Sequence, residues 1–241
     1  MSKPAIKGFV ETSFCDWDGE ISSVIFLPGC NFRCPFCQNG ALVTAPGELP
    51  TMDFDLIAAY LKSKSDWIDG VVITGGEPTI WDGLAELARE IKSMGFGIKL
   101  DTNGTNPDMV EALMGEGLVD YVAMDIKSAL DERYNRAAGA SVDLEAIGRS
   151  IDILMSAGDS CEFRTTLVPG IVGEEEIDSI ARSIKGARKY VLQRFVPDNS
   201  LDMPLRQALP YQDTFIAQLV ERASVYVAEC FYRGRTGAGL S

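Results

Sequence analysis

From about residue 22 to residue 223 the chain alternates two patterns. Short runs of β-branched and aromatic residues are followed by longer stretches whose apolar positions recur every three or four residues, as in repeated strand–helix units. The spacing predicts strands at residues 23–27, 71–74, 98–100, 121–124, 162–167 and 190–195. Each is short and nearly continuous in apolar residues, as a parallel strand covered on both faces must be. Between them lie helical faces marked by Ile57, Tyr60 and Leu61, then Leu84, Leu87, Ala88 and Ile91, then Val110, Leu113 and Met114. Leu144, Ile147, Ile151 and Leu154 form a fourth, Ile177, Ile180 and Ile184 a fifth, and Phe215, Ile216, Leu219 and Val220 a sixth. Asn106-Pro107 suits the start of the third helix, and the glutamates at 174–176 suit the positive end of the fifth.

Six such units are too few to close an eight-stranded barrel, so the predicted fold class is α/β, an open parallel (β/α)6 partial TIM barrel. At 241 residues a single domain over 1–241 suffices. Residues 1–21 read as an N-terminal extension or hairpin, 22–223 as the core, and 224–241 as a strand at 225–232 with a frayed tail from Gly234.

A net charge of −13 argues against a phosphate-binding face, so nucleic acid is not an expected partner. The pairs Arg133/Arg136 and Arg188/Lys189 read as solvated helix ends. No apolar run is long enough to span a bilayer, and Lys3, Lys7 and Glu11 interrupt any signal-peptide stretch. The expectation is a cytoplasmic protein with no membrane partner.

Six cysteines in such a chain do not form a disulfide framework, and Cys30, Cys34 and Cys37 crowd into one loop, residues 28–39, after the first predicted strand. Loops after the carboxyl ends of parallel strands gather on one face, where ligands bind. Three thiolates from one loop can hold three irons of a cubane and leave the fourth iron open. The alternatives are plain buried thiols or part of a zinc site, which would need Cys15, Cys161 or Cys230 brought in from afar. There is no histidine, which removes every Cys/His zinc pattern.

Later strand ends carry Thr74-Gly75-Gly76-Glu77-Pro78, Asp101-Thr102-Asn103-Gly104, Asp125-Ile126-Lys127, and Arg164 with Val168-Pro169-Gly170. Singly, each reads as a turn, a strand cap or a salt bridge; together they put polar groups on one face.

Gly29-Cys30-Asn31-Phe32-Arg33-Cys34-Pro35-Phe36-Cys37 resembles the signature of radical S-adenosylmethionine enzymes, and Gly75-Gly76-Glu77-Pro78 resembles their cofactor-clamping turn. The resemblance spans roughly residues 8 to 200. It implies an oxidoreductase with one 4Fe-4S cluster on Cys30, Cys34 and Cys37, whose open iron is chelated by S-adenosylmethionine. An electron from the reduced cluster then yields a 5′-deoxyadenosyl radical that abstracts hydrogen.

The further motifs resemble the glycyl-radical-enzyme activases, in particular the activating protein of anaerobic ribonucleoside-triphosphate reductase. That likeness implies anaerobic chemistry, a glycyl-radical enzyme as partner and a flavodoxin or ferredoxin-type reductant. It also implies cofactor contacts from Phe36, Gln38, Gly75, Gly76, Glu77, Thr102, Asn103, Asp125, Lys127, Arg164 and Val168. Asp101, Thr102, Asp125 and the Ala123 carbonyl are implied as an oxygen-lined site for a monovalent cation. Gln38 stands where activases often have histidine, and residues 39–69 hold no cysteine for a second cluster. Two other readings stand beside this one. The first is an enzyme acting on a small molecule, similar to 7-carboxy-7-deazaguanine synthase, although Gln38-Asn39 replaces that family's usual Asp-Thr. The second is a noncatalytic iron–sulfur or zinc protein, which would hold metal without making 5′-deoxyadenosine.

Overall fold

A computed structural model describes residues 3–234. Eight strands form one sheet in sequence order: β1 Gly8–Ser13, β2 Ser22–Leu27, β3 Gly70–Gly75, β4 Gly97–Thr102, β5 Tyr121–Asp125, β6 Cys161–Leu167, β7 Lys189–Arg194 and β8 Glu229–Arg233. β1 is antiparallel to β2, and every later neighbour is parallel. The hairpin predicted at the N-terminus is therefore part of the sheet. The helices are α1 Gly40–Thr44, α2 Phe54–Ser63, α3 Leu84–Ser93, α4 Pro107–Gly115, α5 Glu132–Ala138, α6 Leu144–Ala157, α7 Glu174–Ser183 and α8 Asp213–Ser224. The six predicted strand–helix units are all present, with β8 as an added parallel strand.

The predicted apolar faces are the buried ones: Leu84, Leu87, Ala88 and Ile91 on α3, or Ile147, Ile151 and Leu154 on α6, have almost no exposed surface. They pack against one side of the sheet. In β6, Cys161, Phe163 and Leu167 join that core, while Arg164 and Thr166 line the cavity on the other side. Helix starts are fixed locally. Asn106 caps α4 by accepting from Met109 N–H, and Asp143 caps α6 by accepting from the amides of Glu145 and Ala146.

The predicted boundaries of β2 to β7 move by one residue or two, the end of β4 running on to Thr102, and the last strand moves most. β8 starts at Glu229, four residues late, because 225–228 turn out of α8, with Tyr226 N–H donating to Ala223 carbonyl. β7 ends at Arg194, and Phe195 is buried just beyond it. The short α1 and α5 carry too few periodic apolar positions to stand out in the sequence. Most of the predicted tail, residues 235–241, lies outside the described residues.

The loop between β1 and β2 closes the amino-terminal end of the barrel. Trp17 packs on Gly70 and Gly97, where a Cβ would lie 2.6 and 3.2 Å from its ring, so the starts of β3 and β4 are glycine. Next to it, buried Lys99 lies 3.7 Å from buried Glu162. β1 and β8 are the two ends of the sheet order, and Asp18 reaches Arg233 at 2.6 Å and Lys189 at 3.7 Å.

Candidate cluster and cofactor site

At the carboxyl ends of the strands lies a cavity of about 220 Å³ lined by Cys30, Cys34 and Cys37 among others. Their loop is held from several sides. Gly29 N–H donates to Leu42 carbonyl, Trp81 Nε1 to Pro28 carbonyl, Arg33 N–H to Ala138 carbonyl and Asp202 N–H to Pro35 carbonyl, all at 2.8 Å. Phe32 and Phe36 are buried beneath it.

Burial pushes the Cys30 thiol up to about 11 and the Cys34 thiol up to about 12, and raises Cys37 as well. Cys37 also raises Cys30, and Cys37 and Cys30 raise Cys34, against the positive charge of Lys127. Three such sulfurs are unfavourable together as bare thiolates, and metal cations would offset that charge. Phe32 N–H already points at Cys30 Sγ, 3.3 Å away. Among the described residues no three His, Cys, Asp or Glu side chains converge on a single-ion site. The donor set instead fits a cubane, in which each thiolate takes its own iron.

The turn after β3 is bonded to that loop. Gly76 N–H donates to Leu27 carbonyl at 2.9 Å, Glu77 N–H to Gly29 carbonyl at 2.8 Å, and Asn39 Nδ2 to Gly75 carbonyl at 2.8 Å. Gly75 has φ +119°, and a Cβ on Gly76 would meet Gly29 carbonyl oxygen at 1.8 Å. Gly76→Ala is accordingly expected to cost about 1–3 kcal/mol in urea unfolding and to weaken S-adenosylmethionine binding, because the turn must leave the cysteine loop.

Glu77 is buried and ties β3 to β4. Oε1 accepts from Thr79 N–H, Thr79 Oγ1 and Thr102 Oγ1 at 3.0, 2.6 and 2.8 Å, while Oε2 accepts from Asn103 N–H at 2.6 Å. Burial raises its pKa and these donors oppose the rise. One acceptor position remains on Oε2 for a ligand.

Arg164 sits between two carboxylates. Its Nε is 2.7 Å from Asp125 Oδ1 and its NH1 is 3.2 Å from Asp101 Oδ1, while Lys127 Nζ is 3.0 Å from Asp125 Oδ2. Burial works to raise Asp125, but Arg164 and Lys127 hold it well below the usual carboxylate range. Burial likewise opposes the charge on Lys127, and Asp125 outweighs it. Buried Asp101 Oδ1 has no aligned hydrogen-bond donor among the described residues.

The structure thus brings most of the sequence-predicted residues to one cavity: Phe36, Gln38, Gly75, Gly76, Glu77, Asp101, Thr102, Asn103, Asp125, Lys127 and Arg164 all line it. Gln38 Nε2 donates to Val196 carbonyl at 3.1 Å. Val168 is instead buried in the core. Of the four positions expected around a monovalent cation, Asp101, Thr102 and Asp125 line the cavity and Ala123 does not. Arg164 bridges the two aspartates, Thr102 Oγ1 is committed to Glu77, and Ala123 lies opposite Asp101 in the strand register without lining the cavity. Sequence reasoning missed Asn39 and the cavity-lining Cys15, Thr166, Gln193 and Arg233. Alternating polar residues in otherwise apolar strands were the available signal for Thr166 and Gln193.

Residues 24–184 match the family model described as the Radical SAM superfamily. A protein of Methanocaldococcus jannaschii, named provisionally as a glycyl-radical enzyme activating enzyme, is 33% identical over 245 residues covering 98% of both chains. The 7-carboxy-7-deazaguanine synthase of Methanopyrus kandleri is 30% identical over 45% of this chain and 50% of its own. Among solved structures, Streptococcus suis SuiB bound to S-adenosylmethionine superposes with a TM-score of 0.64 at 15% identity, over 88% of this chain and 52% of SuiB. Coproporphyrinogen III oxidase from Escherichia coli gives a TM-score of 0.55 at 13% identity, over 84% and 51%. The chain spans about half the length of these two solved proteins, and they share its fold.

Proposed function

This chain belongs to the Radical SAM superfamily, and we propose that within it the protein is an activase that removes a hydrogen atom from a glycine of a partner glycyl-radical enzyme. The observation that carries this reading is the end-to-end likeness to the Methanocaldococcus jannaschii relative. A pyruvate formate-lyase-activating enzyme of Streptococcus mutans, 27% identical over 74% of this chain and 73% of its own, supports it. The synthase likeness covers less than half of the chain.

In this reading Cys30, Cys34 and Cys37 hold a 4Fe-4S cluster. When bound, the cluster supplies the electron, from a flavodoxin or ferredoxin-type donor, that splits S-adenosylmethionine into methionine and the group that takes the hydrogen. The chain's own residues bind and orient. Glu77 Oε2 has an acceptor position for the cofactor's ammonium, the Gly75 and Gly76 backbone allows close approach, and Lys127 offsets negative charge beside the thiolates. Phe36 gives an apolar surface for adenine, and Gln38 and Asn103 add polar contacts.

Anaerobically reconstituted protein, mixed with S-adenosylmethionine, a reductant and the glycyl-radical enzyme encoded in the same genome, is expected to form 5′-deoxyadenosine and a glycyl radical visible by electron paramagnetic resonance. Cofactor cleavage with no radical on the partner, but with turnover of a pterin substrate, would move the assignment to the synthase-like reading.

A further inference from the structure

One wall of the cavity is not used by the cluster or the cofactor in the reading above. Thr166 on β6, Gln193 on β7 and Arg233 on β8 are register partners across three adjacent parallel strands, so their side chains form a row on the same face. All three line the cavity.

The members of this row differ in what they have left to offer. Arg233 is already held by Glu162 at 3.2 Å and Asp18 at 2.6 Å, and neighbouring Arg194 by Tyr232 Oη at 3.1 Å and Asp213 at 3.4 Å. The positive charge here is answered from within the protein, so the wall is not built to attract an anion. Gln193 is only 7% exposed, yet neither its carboxamide nor the Thr166 hydroxyl is a buried atom lacking a partner among the described residues: both keep access to the cavity that they line. A carboxamide that faces the cavity with its acceptor and both donors uncommitted to the protein is available to a ligand.

We propose that Gln193 is the specificity-determining residue for the substrate, pairing with the backbone N–H and C=O of one residue in an extended peptide. The inference rests on the activase reading and adds how the glycine is recognised. A carboxamide presents one acceptor and two donors in a plane. The N–H and C=O of a single extended residue project to the same side, as in a hydrogen-bonded pair of antiparallel strands, and match that edge. A glycine has no side chain to recognise, so its main chain is what a site must read. Thr166 Oγ1, next in the row, extends the same polar edge.

The test compares two deuterated probes on reconstituted holoenzyme: blocked triglycine, and its analogue in which one amide is an ester. Deuterium appearing in 5′-deoxyadenosine is the readout. In the wild-type enzyme the ester is expected to raise KM about tenfold, since a site that hydrogen-bonds an N–H rejects the analogue lacking it. Q193L is expected to bind the amide about tenfold more weakly and to lose the amide-over-ester preference. Q193E keeps an acceptor for the N–H and retains the preference, and Q193A, which adds no bulk, must behave as Q193L does. A preference undiminished in Q193L and Q193A overturns this inference alone. Absence of deuterium transfer from either probe in a wild-type enzyme that still forms the radical on its protein partner also overturns this inference alone, whereas absence of both overturns the activase reading with it.

Discussion

Cys34→Ser is expected to abolish both cluster assembly and reductive cleavage of S-adenosylmethionine, with iron and sulfide per chain and 5′-deoxyadenosine as the measurements. Cys34 is the most buried of the three loop cysteines, at 7% exposure, and that burial raises its pKa against the opposing charge of Lys127. A hydroxyl in that position ionises far less readily than a thiol and is a poor ligand for iron. Cys161→Ala provides the contrast. Its sulfur donates to Leu154 carbonyl at 3.2 Å, in the core rather than at the cavity, so that variant should keep its full iron content. Full iron and activity in Cys34→Ser would remove the basis for the cluster assignment.

Arg164→Met should destabilise the protein by about 3 kcal/mol, because it removes the shared cation of half-buried Asp101 and Asp125 and leaves them only Lys99 at 3.7 Å and Lys127 at 3.0 Å. The unfolding midpoint should fall by about 10 °C in a chain of this size. The loss has a pH signature. Asp125 is held below its unfolded value in the native protein, so its contribution is present above about pH 4 and fades as the pH falls further. The gap between variant and wild type should therefore narrow below about pH 4. A gap independent of pH would show that lost packing, not lost charge, is the cause.

How much of this could be read from the chain depended on what each residue packs against. β3 and β5 were placed to within a residue or so because Val71, Val72, Ile73 and Val122 leave no polar face. The cysteine loop and the glycines beside it were also legible, since loop position and residue type constrain them directly. Arg164 was found but its partners were not: the sequence puts Asp101, Asp125 and Arg164 on three strand ends, and only the strand register sets which of them meet. Lys99 was passed over because a lysine within a strand reads as solvent-facing, whereas here it is 2% exposed inside the barrel. β8 was placed too early because Val225 and Val227 look like strand residues yet belong to the turn after α8.

Backbone hydrogen bonds stitch each strand to the next from β1 to β8, whereas Asp18, in the loop after β1, reaches Arg233 on β8 and Lys189 on β7 through side-chain ion pairs alone. Partly exposed ion pairs of this kind hold with about 0–1 kcal/mol each and slacken as salt is added. Added salt should therefore weaken this connection while leaving the strand pairing intact.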